Sequence, residues 1–128
     1  MFHHVTIGTN DIVKAKKFYD AVLGVVGISP AEITIYAGGR KKLVYEKDDC
    51  LFIVKLPIND EAAAAGNGHT VGFRCASEDE VLKLHDTAVA NGGTSVEDAP
   101  GLRPTGKFQA YIRDLDGNKL SATFIPSH

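Results

Sequence analysis

The chain has 128 residues, of which 44% are hydrophobic and 23% charged, and its formal net charge is −2. These are the size and mix of one globular domain that builds its core without staples. Outside Lys14/Lys16/Lys17 and Arg40-Lys41-Lys42 the cations are dispersed, so the basic stripe that neutralises a row of phosphates is missing and nucleic acid is not an expected partner. Cys50 and Cys75 sit alone in apolar stretches, a pattern of buried thiols in a reducing compartment more than of a disulfide framework. No apolar run approaches ~18 residues, and Met1-Phe2-His3-His4 is neither a basic leader nor a signal core. The expectation is therefore a cytoplasmic chain with no membrane partner.

In chain order, Phe2–Gly8 reads as a strand, and Asn10-Asp11 then signals a helix start. Ile12, Ala15, Phe18, Tyr19, Val22 and Leu23 recur at helical spacing, which predicts a helix over 11–23 closed by Gly24 and Gly27. Three β-like stretches follow at Ile33–Ala37, Lys42–Glu46 and Leu51–Leu56, punctuated by Gly38-Gly39 and Asp48-Asp49. Pro57–Asn67 reads as a linker, with Glu61–Ala65 able to form a short helix on propensity alone. Thr70–Ala76 is the next strand. Ser77 followed by Glu80 is a capping box, predicting a helix over 77–91 that Gly92-Gly93 ends. Thr94–Glu97, Phe108–Arg113 and Lys119–Ile125 are the last β-like stretches, with Asp116-Gly117 as a hairpin turn. Asp114–Asn118 lacks the spacing and terminal glutamate of a calcium loop, and Asn67-Gly68 and Thr105–Lys107 lack a phosphate-loop pattern.

The order β-α-β-β-β thus occurs twice. A shift of 66 residues lays Val5–Gly27 on Val71–Gly93 without a gap, pairing Ile7 with Phe73, Phe18 with Leu84 and Gly27 with Gly93. One domain over 1–128 is expected, of two modules near 1–58 and 68–128. Alternation assigns the strand faces. Val5, Ile7, Val71, Phe73, Cys75, Leu120, Ala122 and Phe124 belong under the helices. His4, Thr6, Thr70, Gly72, Arg74, Ser121 and Thr123 then line the opposite, concave face, and Gln109, Tyr111 and Arg113 alternate against Phe108, Ala110 and Ile112. A half-polar concave surface of this kind suits a small molecule. His3 and His69 fall on the apolar side as strand-end residues, unless a bulge turns His69 inward.

These residues carry a resemblance. "HVTIGTNDIVKAKKFYDAVLG", followed in order by "GHTVGFRC", "ANGG", "APGLRP" and "IRDLDGNKLSATF", resembles the vicinal-oxygen-chelate (glyoxalase/bleomycin-resistance/dioxygenase) superfamily over nearly the whole chain. The resemblance implies an α+β fold in which two βαβββ modules form a cup-shaped mixed sheet with helices outside, usually as a homodimer. It also implies a divalent metal in the cup of the enzymes, with ligands from four places. His4 matches the first. The fourth-strand stretch Leu51–Val54 offers no ligand, Thr70 stands at the fifth-strand position, and Ser121 stands where the last glutamate would be. One ligand of four does not make a catalytic zinc-type site, which needs about three protein ligands.

The leading expectation is a metal-independent small-molecule binder without a cofactor, with His4, Thr70, Arg74, Ser121 and Tyr111 as ligand-binding candidates and no residue assigned to catalysis. The alternative is a metal-dependent lyase or dioxygenase that uses His4 and His69. A third reading is a non-catalytic structural dimer module.

Overall fold

The computed structural model describes residues 1–126; the last two residues of the second predicted module lie outside that range. Strand β1 (His4–Gly8) leads into helix α1 (Ile12–Gly24), then β2 (Thr34–Tyr36), β3 (Arg40–Lys47) and β4 (Cys50–Lys55). The second module repeats this with β5 (Val71–Arg74), α2 (Glu78–Ala90), β6 (Thr94–Leu102), β7 (Phe108–Arg113) and β8 (Lys119–Phe124). Each module makes one mixed four-stranded sheet, ordered β1-β4-β3-β2 and β5-β8-β7-β6, with β1/β4 and β5/β8 parallel and the other pairs antiparallel. This is the predicted fold, and β1 and β5 are edge strands. No helix among the described residues is long and apolar enough to cross a membrane.

The 66-residue offset holds at the helix caps. Asp11 accepts from the Lys14 amide and Ser77 from the Glu80 amide, so each helix starts where a side-chain oxygen satisfies an otherwise orphaned N–H. The carboxylate of Glu80 reaches back to the amide of Ala76 instead of Ser77, a variant of the reciprocal box. The glycine pairing shifts by one: positive φ is needed at Gly27 and Gly92. Gly93 is needed for room, because a Cβ there would lie 3.0 Å from the Phe18 ring. Glu61–Ala65 is not helical; the amide of Ala63 is instead taken by the Asn10 side chain at 2.7 Å.

Helix α1 buries Phe18, Tyr19, Val22 and Leu23, and α2 buries Val81, Leu84 and Ala88, against strand residues such as Leu43, Val54, Ile112 and Leu120 in one continuous core. Ile7, Cys75, Leu120 and Ala122 are buried on the helix side, as alternation predicted, and Leu43, Tyr45, Phe52 and Val54 are buried with them in module one. Burying side chains of this size contributes about 1.5–3 kcal/mol each.

At one end the modules are stitched together by the β7–β8 turn. Asp116 accepts from the Thr9 hydroxyl at 2.6 Å and the Asn10 amide at 2.9 Å. Asn118 donates through Nδ2 to the Gly8 carbonyl at 3.0 Å and to Asp114 at 2.9 Å. Since Asn118 is buried, Asn118→Ala leaves two acceptors short of a donor and is expected to cost roughly 2–3 kcal/mol in urea unfolding. A loss no larger than that of the exposed control Lys83→Ala would mean that the turn does not hold the modules together.

Candidate functional site

The four positions at which the resemblance implies metal ligands carry His4, the Leu51–Val54 stretch, Thr70 and Ser121. His4 is exposed, and its Nδ1 lies 2.8 Å from Nδ1 of His3, the two rings meeting edge to face. Thr70 is exposed and just precedes β5. Ser121 is buried, opposite Gly72 in the β5/β8 register. Its hydroxyl is 3.2 Å from that of Thr123, which accepts from Gln109 at 2.9 Å, while Gln109 accepts from the Tyr111 hydroxyl at 3.2 Å. A Cβ on Gly72 would approach the Ser121 oxygen to 2.8 Å, so the glycine makes room for this hydroxyl. Tyr111 also has Lys119 over its ring at 4.8 Å.

His69 does not turn inward. It lies ahead of β5, and its Nε2 accepts from the Gly66 amide at 2.8 Å, closing a loop in which a Cβ on Gly66 would collide with the imidazole. Among the described residues no three His, Cys, Asp or Glu side chains are grouped to hold a metal. Two alcohols, an aliphatic stretch and one histidine are not a donor set for a divalent transition ion. The residues present do not fit the metal that the resemblance implies.

A cleft of about 560 Å³ lies between the modules, against edge strands β1 and β5. Phe2, Val5, Val26 and Phe52 line it from module one and Val71 and Phe73 from module two. The rings of Phe52 and Phe73 meet edge to face with centroids 5.1 Å apart. Thr70 and Arg74 border this cleft, whereas His4, Ser121 and Tyr111 do not. Of the sequence-predicted residues, Thr70 and Arg74 thus lie at the cleft rim, Ser121 and Tyr111 in the hydroxyl network of the second sheet, and His4 in neither, against His3.

The cleft exists because the second seam lacks the stitches of the first. By strand register and helix offset, Cys75 stands where Thr9 stands, Ala76 for Asn10, Cys50 for Asn118 and Lys47 for Asp114. None of the replacements makes the bond of its counterpart: the thiols are weak donors, and the Ala76 amide is taken by Glu80. Lys47 donates instead to the Val26 carbonyl at 2.6 Å, and the two-residue Asp48-Asp49 turn does not reach across. The exchange of Thr9-Asn10 for Cys75-Ala76 was readable in the sequence repeat, and it was the one available signal for the cleft residues that face alternation missed.

The match to known proteins now decides the family. Residues 1–121 match the model of the Glyoxalase/Bleomycin resistance protein/Dioxygenase superfamily. The chain belongs to this superfamily. A glyoxalase/bleomycin resistance protein from Albidiferax ferrireducens is 40% identical, with a TM-score of 0.89 over 98% of this chain and 99% of that one. A glyoxalase/bleomycin resistance protein/dioxygenase family enzyme from Burkholderia phytofirmans shares the fold at 20% identity and a TM-score of 0.72, over 97% of this chain and 98% of its own. So does a genomically encoded fosfomycin resistance protein from Listeria monocytogenes, at 19% identity and a TM-score of 0.67, over 97% and 92%. No curated protein matches the chain.

In this superfamily member both cysteines line the cleft. Cys75 is buried, and desolvation, followed by the nearby Glu80 carboxylate, pushes its thiol up to about 11. The neutral thiol is the form that folding favours. The stability gained is complete below the ordinary thiol pKa of about 8.5 and is lost as the pH climbs towards about 11. Cys50 is partly exposed. At pH 8, iodoacetamide is expected to alkylate Cys50 first and Cys75 slowly, with the Cys75 rate rising only at strongly alkaline pH. Peptide mapping that found Cys75 modified first would overturn this assignment.

Proposed function

We propose that this chain binds a small, mostly apolar molecule in the cleft between its modules, and that it does so without a catalytic metal. The observation that carries the reading is the cleft itself, whose volume of about 560 Å³ falls within the range of drug-sized ligand sites. Its walls are aromatic and aliphatic, with a few polar groups at the rim, the usual division between affinity and orientation. The exposed Phe2 extends the apolar wall towards solvent. The unsuited donor set at His4, Thr70 and Ser121 supports the metal-independent half. Free edges on β2 and β6, with Ile35 and Leu102 exposed on them, fit a homodimer in the same reading; a stable monomer in sedimentation at micromolar concentration would count against that part.

The neutral fluorescent probe 1-N-phenylnaphthylamine tests the cleft. One saturable site per chain is expected, lost in Ala76→Trp, which fills the exposed mouth without touching the core. Equal binding by wild type and variant would sink the reading. On the same preparation, elemental analysis and titration with Zn²⁺, Ni²⁺, Mn²⁺ and Fe²⁺ are expected to find no tight stoichiometric metal, and Thr70→His with Ser121→Glu is expected to raise affinity. Tight 1:1 binding by wild type that disappears when His4 and His69 are replaced would restore the metal-dependent lyase or dioxygenase.

A further inference from the structure

Four charged residues line the cleft: Lys47, Asp48, Arg74 and Glu80. Two are already engaged by the protein. The Lys47 ammonium donates to the Val26 carbonyl at 2.6 Å, and Glu80 accepts from the Ala76 amide at 3.1 Å. Asp48 stands exposed in a two-residue turn of positive φ, where water serves it fully. Arg74 is exposed like Asp48, but it is the cation of the four with no partner among the described residues. It ends edge strand β5 between the cleft residues Phe73 and Cys75, and its guanidinium has no ion pair or side-chain hydrogen bond to another described residue. Five N–H donors in a planar fork are thus left for something outside the chain.

The stitched seam indicates what that something carries. There, Asn118 reaches the end of β1 and a carboxylate, Asp116, reaches from the same facing turn to the two residues after it. At the open seam the facing turn supplies no bridge, and the corresponding strand end carries the arginine. Resting on the cleft reading above, we propose that the ligand is an apolar molecule ending in a carboxylate, its body between Phe52, Phe73 and Val5 and its anion paired with Arg74. The fork of Arg74 matches two carboxylate oxygens, which a hydroxyl or an ammonium does not offer. Because Arg74 is exposed, water and salt screen the pair, and the carboxylate contributes selectivity more than affinity.

Decanoate, decanol and decylamine present one chain with three head groups. Each is used to displace 1-N-phenylnaphthylamine from wild type, Arg74→Lys and Arg74→Ala, all checked for unchanged thermal melting. Decanoate is expected to displace the probe at about fivefold lower concentration than decanol in wild type, the size of one partly screened ion pair, with decylamine weakest. Arg74→Ala is expected to erase the decanoate advantage and leave decanol unchanged, while Arg74→Lys retains part of it. Equal decanoate and decanol in wild type, preferred decylamine, or an Arg74→Ala loss shared equally by all three would each overturn the carboxylate assignment while leaving the cleft reading intact. Displacement by none of the three, with probe binding indifferent to Ala76→Trp, would overturn the cleft reading itself. Probe binding that falls as protein concentration rises would assign the cleft to a second copy of the chain and overturn the proposal.

Discussion

The buried carboxylate of Asp114 is the group on which the join between the modules depends. A charge in the interior is costly unless its oxygens are met by donors, and here four converge on it. The amides of Asp116 and Asn118 reach one oxygen at 2.9 Å, and the Asn118 side chain and the Tyr19 hydroxyl reach the other. This fixes the β7–β8 turn, and the fixed turn presents Asp116 and Asn118 to the end of β1. Tyr19 comes from α1, so the same carboxylate also ties the first helix to the second sheet. Burial first, and then the Asp114 charge, hold the Tyr19 hydroxyl protonated well beyond the usual phenol range, which keeps it a donor at any pH the fold survives.

The repeat makes the opposite end informative. Lys47 occupies the position of Asp114, and an ammonium cannot organise a turn by accepting hydrogen bonds. With cysteines in place of Thr9 and Asn118, the second seam has neither the anchor nor the bridging groups of the first. Two modules of one ancestry of pattern are therefore closed at one end by polar contacts and left open at the other, and the opening is lined by the apolar side chains that the helices do not cover. In module one, Asp20 plays a local part of the same kind. Burial alone would raise its pKa, but donors from Lys16, Tyr45 and the Ala31 amide outweigh that and lower it. Its contribution to stability is thus present at neutral pH and is lost only as the pH falls below the ordinary carboxylate range.

Most of the fold was legible because period, caps and turns agreed with one another. The helix limits moved by one residue, to Ile12–Gly24 and Glu78–Ala90, with Ser77 the cap that the capping box predicted and Asp11 the cap of the first helix. Strand β6 was the largest miss: Thr94–Glu97 was expected, and the strand runs to Leu102. Asp98-Ala99-Pro100-Gly101 lay beyond the expected stretch, yet on an edge strand a proline can turn its missing N–H to solvent. The irregularity is absorbed by a register shift between Val96 and Gly101, with Glu97 at φ 58°. Phe2 fell outside β1, whose register with β4 begins at His4. The cleft was beyond alternation altogether, because alternation says which way a side chain faces within a sheet and not how two sheet edges meet.

The open seam also bears on how binding would be felt by the whole chain. The core is one cluster that runs through both modules, and the cleft borders it through Tyr45, Phe52 and Phe73. A ligand lodged there contacts both modules at once, at the end where the protein supplies no bridge. Its binding energy therefore adds to the cohesion of the modules and not only to the order of a local loop. A ligand that binds only the folded state at a hundred times its dissociation constant contributes about 2.7 kcal/mol, a large part of the ~5–15 kcal/mol by which domains of this kind are stable. The stitched seam holds the modules in register without any ligand, so that gain is an addition to a fold already formed. The hydroxyl network of Ser121, Thr123, Gln109 and Tyr111 works in the same direction. Its members satisfy one another, so the buried polar atoms of the second sheet are settled within the sheet, and the cation at the cleft left without a partner among the described residues is the exposed Arg74.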